Sequence, residues 1–227
     1  MNTPSELERP VQVAAGGARL EGTLGLPHRA RGIVIFAHGS GSSRHSPRNR
    51  YVAGVLNEAG FATLLVDLLT SQEEAEDMRT RRLRFDIDLL AERLIGVTDW
   101  VAQQPETRNL AAGYFGASTG AGAALVAAAE RPERIDAVVS RGGRPDLAGE
   151  ALARVRAPTL LIVGGNDLPV IGLNEEAMLR MQAERRLEII PGATHLFEEP
   201  GALEAVARLA REWFERYLGQ PGDATAT

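Results

Sequence analysis

The chain of 227 residues contains no cysteine. Disulfides, thiolate metal sites and a cysteine nucleophile are therefore all excluded. Lysine is missing too, since all 25 residues of the Lys+Arg total are arginine. That removes Schiff-base chemistry and the phosphate-cradling P-loop lysine. No apolar run approaches the ~20 residues needed to span a bilayer. Residues 1–10 are polar and acidic and lack the apolar core of a signal peptide. The expectation is a cytoplasmic protein with no membrane partner. The formal net charge is −5, so no nucleic-acid partner is expected either. Neither an H-E-x-x-H pattern nor a dinucleotide fingerprint occurs, and so no metal or cofactor is expected.

What is present reads as one globular unit. Hydrophobic residues make up 44% and charged residues 24%, ordinary proportions for a soluble fold. This length suffices for one sizeable domain with a full core. Residues 11–26 alternate around Gly16-Gly17 and predict a hairpin. Short apolar runs at Ile33–Ala37, Ala62–Val66, Asn109–Phe115, Ile135–Val139, Thr159–Val163 and Arg186–Ile190 read as strands, the first two of the buried parallel type. Between them lie helical patterns at Arg50–Gly60, Leu83–Gln103, Ser118–Arg131, Asp146–Arg154 and Asn174–Ala183, and Gly201–Leu218 closes the chain. Ser71–Thr80 is acidic and reads as a loop or short turn. The alternation predicts an α/β fold with a doubly wound, mostly parallel sheet and an N-terminal antiparallel hairpin. One domain is expected over 11–218, with residues 1–10 and 219–227 as flexible termini.

The most informative segment is Gly116-Ala117-Ser118-Thr119-Gly120, which follows an apolar run and opens a small-residue helix. This is G-x-S-x-G in a strand–turn–helix setting. Such a turn lifts the serine hydroxyl clear of the strand end. Strand and helix then approach so closely that only small residues fit two places before and after it. The N-terminus of the helix, with free N–H groups, points at the place where an oxyanion would form.

A serine nucleophile needs a base, an acid to orient the base, and oxyanion donors. Four histidines are present. His28 precedes a strand, at the wrong end of the sheet. His38 opens a glycine loop and reads as a brace for that turn. His45 lies in a Ser/Arg loop. His195 follows the last strand and is the candidate base. Asp167 projects from the Gly164-Gly165-Asn166 turn at a strand's carboxyl end and is the candidate acid, with Asp146 as competitor. Asp67 also caps a strand but precedes the serine. The order Ser118, Asp167, His195 is the one expected after a nucleophile elbow. The backbone N–H groups of Thr119 and of Ser40, in His38-Gly39-Ser40-Gly41, are the candidate oxyanion donors.

With these four segments in place the chain resembles the α/β-hydrolase family, and within it the small dienelactone-hydrolase-like serine branch. The resemblance covers about residues 11 to 218. It implies a serine hydrolase acting on small carboxylic esters or lactones through an acyl-enzyme. Acyl transfer or perhydrolysis on the same triad, or a ligand receptor without catalysis, are the alternatives. Dienelactone hydrolase proper carries cysteine where Ser118 stands, so its substrate does not transfer with the resemblance. Arg141 and Arg144 follow a strand on the active-site edge and are candidates for receiving a substrate carboxylate. Pairing with nearby acidic side chains is the alternative, and the favoured one. Only about twenty residues join Ile135–Val139 to Thr159–Val163, too few for a cap domain, so an open site is expected.

Overall fold

The computed structural model describes residues 8–219. Eight strands form one sheet in the order β1-β2-β4-β3-β5-β6-β7-β8. β1 (Glu8–Ala15) and β2 (Ala18–Gly25) are the hairpin, and β2 pairs antiparallel with β4 (Ala62–Val66). β3 (Ile33–Ala37), β5 (Ala112–Ala117), β6 (Ala137–Arg141), β7 (Thr159–Gly164) and β8 (Arg185–Ile190) complete the sheet in parallel. The molecule is an α/β-hydrolase fold without a cap domain. β1 begins at Glu8, so residues 8–10 pair with Thr23–Gly25 instead of forming part of a free terminus.

The central strands are buried on both faces. The pleat of β3 sends Ile33, Ile35 and Ala37 to one core and Val34 and Phe36 to the other. Helices α3 (Ile87–Val101) and α4 (Thr119–Glu130) cover the first, while α1 (Pro47–Glu58) and α6 (Ala202–Tyr217) cover the second. Eight of the 12 residues of α4 are Ala or Gly, and ten are buried between sheet, α3 and the segment after β6. None of the helices described is long and apolar enough to cross a membrane.

Four expected elements differ. Ser71–Thr80 is a helix, α2, where a loop was expected. Thr70 caps it and Glu73 closes a reciprocal capping box, which offsets a polar sequence with little to bury. The stretch Leu83–Gln103 splits, because Asp86 accepts from the Leu89 N–H and starts α3 afresh after a short 3-10 turn at Leu83–Phe85. α5 runs over Leu168–Arg180, starting directly after Asp167 with Pro169 in its first turn. The segment Pro145–Arg154 is 3-10 helix, broken at Gly149. Of the tail expected to be flexible, residues 220–227 lie outside the described residues.

Candidate active site

β5 delivers the chain into Ser118 at φ 51° and ψ −122°, and α4 starts at the next residue. A serine at positive φ is strained, and the surroundings must over-determine it. They do: the Ser118 N–H donates to the Arg141 carbonyl at 3.2 Å, and its own carbonyl accepts from Ala121 and Arg144, both at 3.1 Å. The flanking glycines are obligatory. A Cβ on Gly116 would stand 2.5 Å from the Ala121 Cα, and one on Gly120 would run into the carbonyls of Ala37 and His38. Strand, elbow and helix are thus locked to the loop after β3 and the loop after β6.

The turns after β7 and β8 are laced together. Gly165 N–H donates to Ile190 O at 2.8 Å and Asn166 N–H to Ala193 O at 2.9 Å. This brings His195 Nδ1 to 2.6 Å from Asp167 Oδ2. The carboxylate side chain is 13% exposed and the imidazole 37%. The loop after β6 connects this pair to the elbow. A Cβ on Gly142 would lie 3.5 Å from His195 Cε1, while its neighbours Arg141 and Arg144 bond the backbone of Ser118. The competing carboxylates are engaged elsewhere. Asp146 takes the Arg144 guanidinium in a fork at 2.8 and 2.7 Å. Asp67 accepts from the Arg44 N–H at 2.6 Å and also pairs with its guanidinium.

Among the remaining histidines, His28 is exposed ahead of β3 and His45 is exposed in the loop before α1. His38 is a brace. Its Nε2 accepts from the Leu68 N–H at 3.1 Å, which leaves the proton on Nδ1 to reach the Gly39 carbonyl at 3.0 Å. Burial holds its pKa below the usual imidazole value, in keeping with a neutral ring.

The loop His38–Gly41 lies against the elbow: a Cβ on Gly39 would stand 3.1 Å from the Ser118 Cβ. Thr119, as the first residue of α4, has no carbonyl one turn back to receive its N–H. The Ser40 N–H has a different fate from the one expected. It donates to the Thr119 side-chain oxygen at 3.0 Å, and the two hydroxyls stand 3.1 Å apart.

Arg144 is held by Asp146, while Arg141 is not held. Arg141 is 8% exposed, its Nε and Nη1 have no partner, and Nη2 reaches only Asn49 Oδ1 at 3.5 Å. Burial, and then the nearby Arg48 charge, pull its pKa down to about 10. Two supporting residues escaped the sequence reading. Asn174, fully buried on α5, donates to the Gly143 carbonyl at 3.0 Å and so holds the loop after β6. Met78 on α2 joins Leu69 and Leu90 in lining a cavity of about 220 Å³ that Gly39, Ser40 and Thr119 bound on the other side. The Thr70-Ser71-Gln72-Glu73 pattern signalled the helix that carries Met78; nothing local signalled Asn174. Among the described residues, no group of three or more His, Asp or Glu is placed to hold a metal ion.

Fold and sheet order define an α/β-hydrolase. A family model described as the dienelactone hydrolase family matches residues 20–219, and the chain belongs to that family. It is 67% identical to a dienelactone hydrolase from Anabaena variabilis, whose crystal structure superposes with a TM-score of 0.92 over 93% of this chain and 98% of that one. It is 61% identical over 96% of its length to a Mycobacterium tuberculosis protein named "Putative phosphoribosyl transferase Rv0571c", of which it spans 48%. The chain thus covers about half the length of the curated relatives it matches. Est1E from Butyrivibrio proteoclasticus, solved with ferulic acid bound, shares the fold at 17% identity and a TM-score of 0.77, over 92% of this chain and 100% of that one.

Proposed function

We propose that this chain hydrolyses small carboxylic esters or lactones through an acyl-enzyme on Ser118. His195 takes the serine proton as the hydroxyl attacks the carbonyl carbon, then returns it to the leaving alkoxide. Asp167 fixes the imidazole with its proton on Nδ1, leaving Nε2 as the base, and stabilises the imidazolium that forms. Water, activated by the same imidazole, cleaves the acyl-enzyme. The observation that carries this reading is the 2.6 Å His195–Asp167 pair on the sheet edge where the elbow presents Ser118. Of the two arginines we assign Arg141 to a substrate carboxylate, because its buried Nε and Nη1 have no partner.

Phosphoribosyl transfer, the activity in the mycobacterial relatives' name, is displacement at a sugar carbon. It forms no acyl-enzyme and has no use for a nucleophile elbow, so the hydrolytic reading is preferred for this chain. The small aromatic acid bound to Est1E fits the scale of substrate proposed. The test is labelling with a fluorophosphonate, the modified residue located by mass spectrometry, alongside turnover of p-nitrophenyl acetate. Labelling at Ser118 with turnover is expected. A folded protein that is neither labelled nor active would overturn the reading.

A further inference from the structure

Hydrolases with such an elbow hold the oxyanion between two backbone amides, and in this chain one of the two candidates already has an acceptor. The Ser40 N–H points at Thr119 Oγ1 at 3.0 Å. An N–H can only donate, so Thr119 Oγ1 is the acceptor in that bond. The same oxygen lies 3.1 Å from Ser40 Oγ. Two hydroxyls that share one hydrogen bond use one of their two protons between them. The other O–H, whichever residue carries it, has no acceptor within the pair. Both side chains bound the cavity beside the elbow, and Thr119 is 3% exposed. A donor fixed in so dry a place acts on developing charge without reorganising.

We propose that the hydroxyl pair of Ser40 and Thr119 completes the oxyanion hole, supplying an O–H donor beside the Thr119 N–H in place of the Ser40 N–H. This rests on the acyl-enzyme reading above. The hydroxyl pair keeps both its protons in the step, while the Ser118 proton passes to His195: the attacked carbonyl oxygen takes on negative charge and receives the remaining O–H as a hydrogen bond. The pair is rigid at both ends. Gly120 presses the start of α4 onto the carbonyls of Ala37 and His38. The Ser40 loop is held by His38 on Leu68 and by the Ser42 N–H on the Gly39 carbonyl. The Ser40 amide acts by positioning Thr119 Oγ1, and the hydroxyls touch the reacting oxygen.

The test compares Ser40→Ala, Thr119→Val, the double variant, and Ser40→Ala combined with Thr119→Ser. Each single change leaves one O–H without its partner and should lower kcat by up to about tenfold. The Ser40→Ala/Thr119→Val protein has no hydroxyl left and should lose about 10²-fold or more in kcat with little change in KM, the size expected for one oxyanion donor. An alkyl trifluoromethyl ketone, whose adduct carries the oxyanion, should lose affinity by the same factor. Ser40→Ala/Thr119→Ser, which keeps one hydroxyl, should return to the level of Ser40→Ala alone. Thr119→Ala replaces Thr119→Val in the double variant if the valine protein does not fold. Wild-type kcat in the double variant would show that the freed amide is the donor and overturn the proposal. So would a serine combination as poor as the valine one. Fluorophosphonate labelling of wild-type Ser118 separates the cases: labelling with an unaffected double variant sinks only the hydroxyl pair, whereas no labelling sinks the hydrolase reading itself.

Discussion

His195 Nδ1 and Asp167 Oδ2 meet at 2.6 Å although 28 residues separate them in the chain. Replacing Asp167 with Asn should let the imidazole take the other tautomer, and kcat should fall by roughly 10⁴ as in the worked serine triad. Asp146→Asn only frees Arg144 and should cost far less. Steady-state kinetics on one short ester decides between them; the reverse ranking would move the orienting acid to the loop after β6.

Ser118, the proposed nucleophile, is also held at strained positive φ. Ser118→Ala should keep the fold and reduce ester turnover by several orders of magnitude. Ser118→Gly should be equally inactive yet melt higher. Relief of positive φ is worth about 1–3 kcal/mol, and each kcal/mol raises Tm by about 2–4 °C at this size. Calorimetry of the two variants checks this, and a glycine variant melting below the alanine one would contradict it.

Substrate size follows from the cavity beside Ser40 and Thr119. Its volume of about 220 Å³ lies below the roughly 300–1,000 Å³ of pockets that enclose drug-sized ligands. Across a series of p-nitrophenyl esters, kcat/KM should peak at short acyl chains and decline beyond them, with no jump at a lipid–water interface. A maximum at long chains would mean that a hydrophobic cover forms.

Arg141 makes a charge-specific expectation. Arg141→Met should lower kcat/KM for an ester bearing a free carboxylate more than for its neutral analogue of the same length. Removing a buried guanidinium with unpaired donors should also leave stability unchanged or raise it. Equal losses on both esters would assign Arg141 a packing role alone.

The neutral ring of His38 links stability to pH. Unfolded, it titrates near 6.5; folded, burial lowers that value, although Asp67 and Glu74 nearby oppose the shift. The unfolded chain therefore binds more protons in this window. Stability is full above about pH 6.5 and declines as pH falls through the folded value. Tm should drop between about pH 7 and pH 5, and His38→Gln should flatten that drop. Asp99, held low chiefly by its hydrogen bond from Arg131, loses its contribution only at more acid pH.

The parallel sheet was legible because its strands are short apolar runs separated by helical periods. The triad candidates were legible because Gly116, Gly120 and the Gly164-Gly165 turn dictate backbone geometry within a few residues. α2 was missed although its Thr70–Glu73 cap is local, because the rest of its support comes from ion pairs such as Arg84–Asp77 at 2.5 Å and Arg93–Glu73 at 2.7 Å with residues outside the helix. The Ser40–Thr119 bond joins a loop to a helix start 79 residues away, and no local pattern announces it. Asn174 was hidden for the same reason: its partner, Gly143, is 31 residues away.

α2 lies outside the sheet, and Asp77 is its one buried residue. It nonetheless supplies Met78 to the cavity wall. The flanking Gly116 and Gly120 of the elbow, by contrast, are pressed against backbone and admit no side chain. Innovation in this molecule is therefore partitioned. A lineage, or an engineer, can exchange the exposed Glu74 and Met78 while keeping the Thr70–Glu73 cap and the Asp77 anchor, which should retune the acyl groups accepted by the proposed hydrolase without touching the elbow.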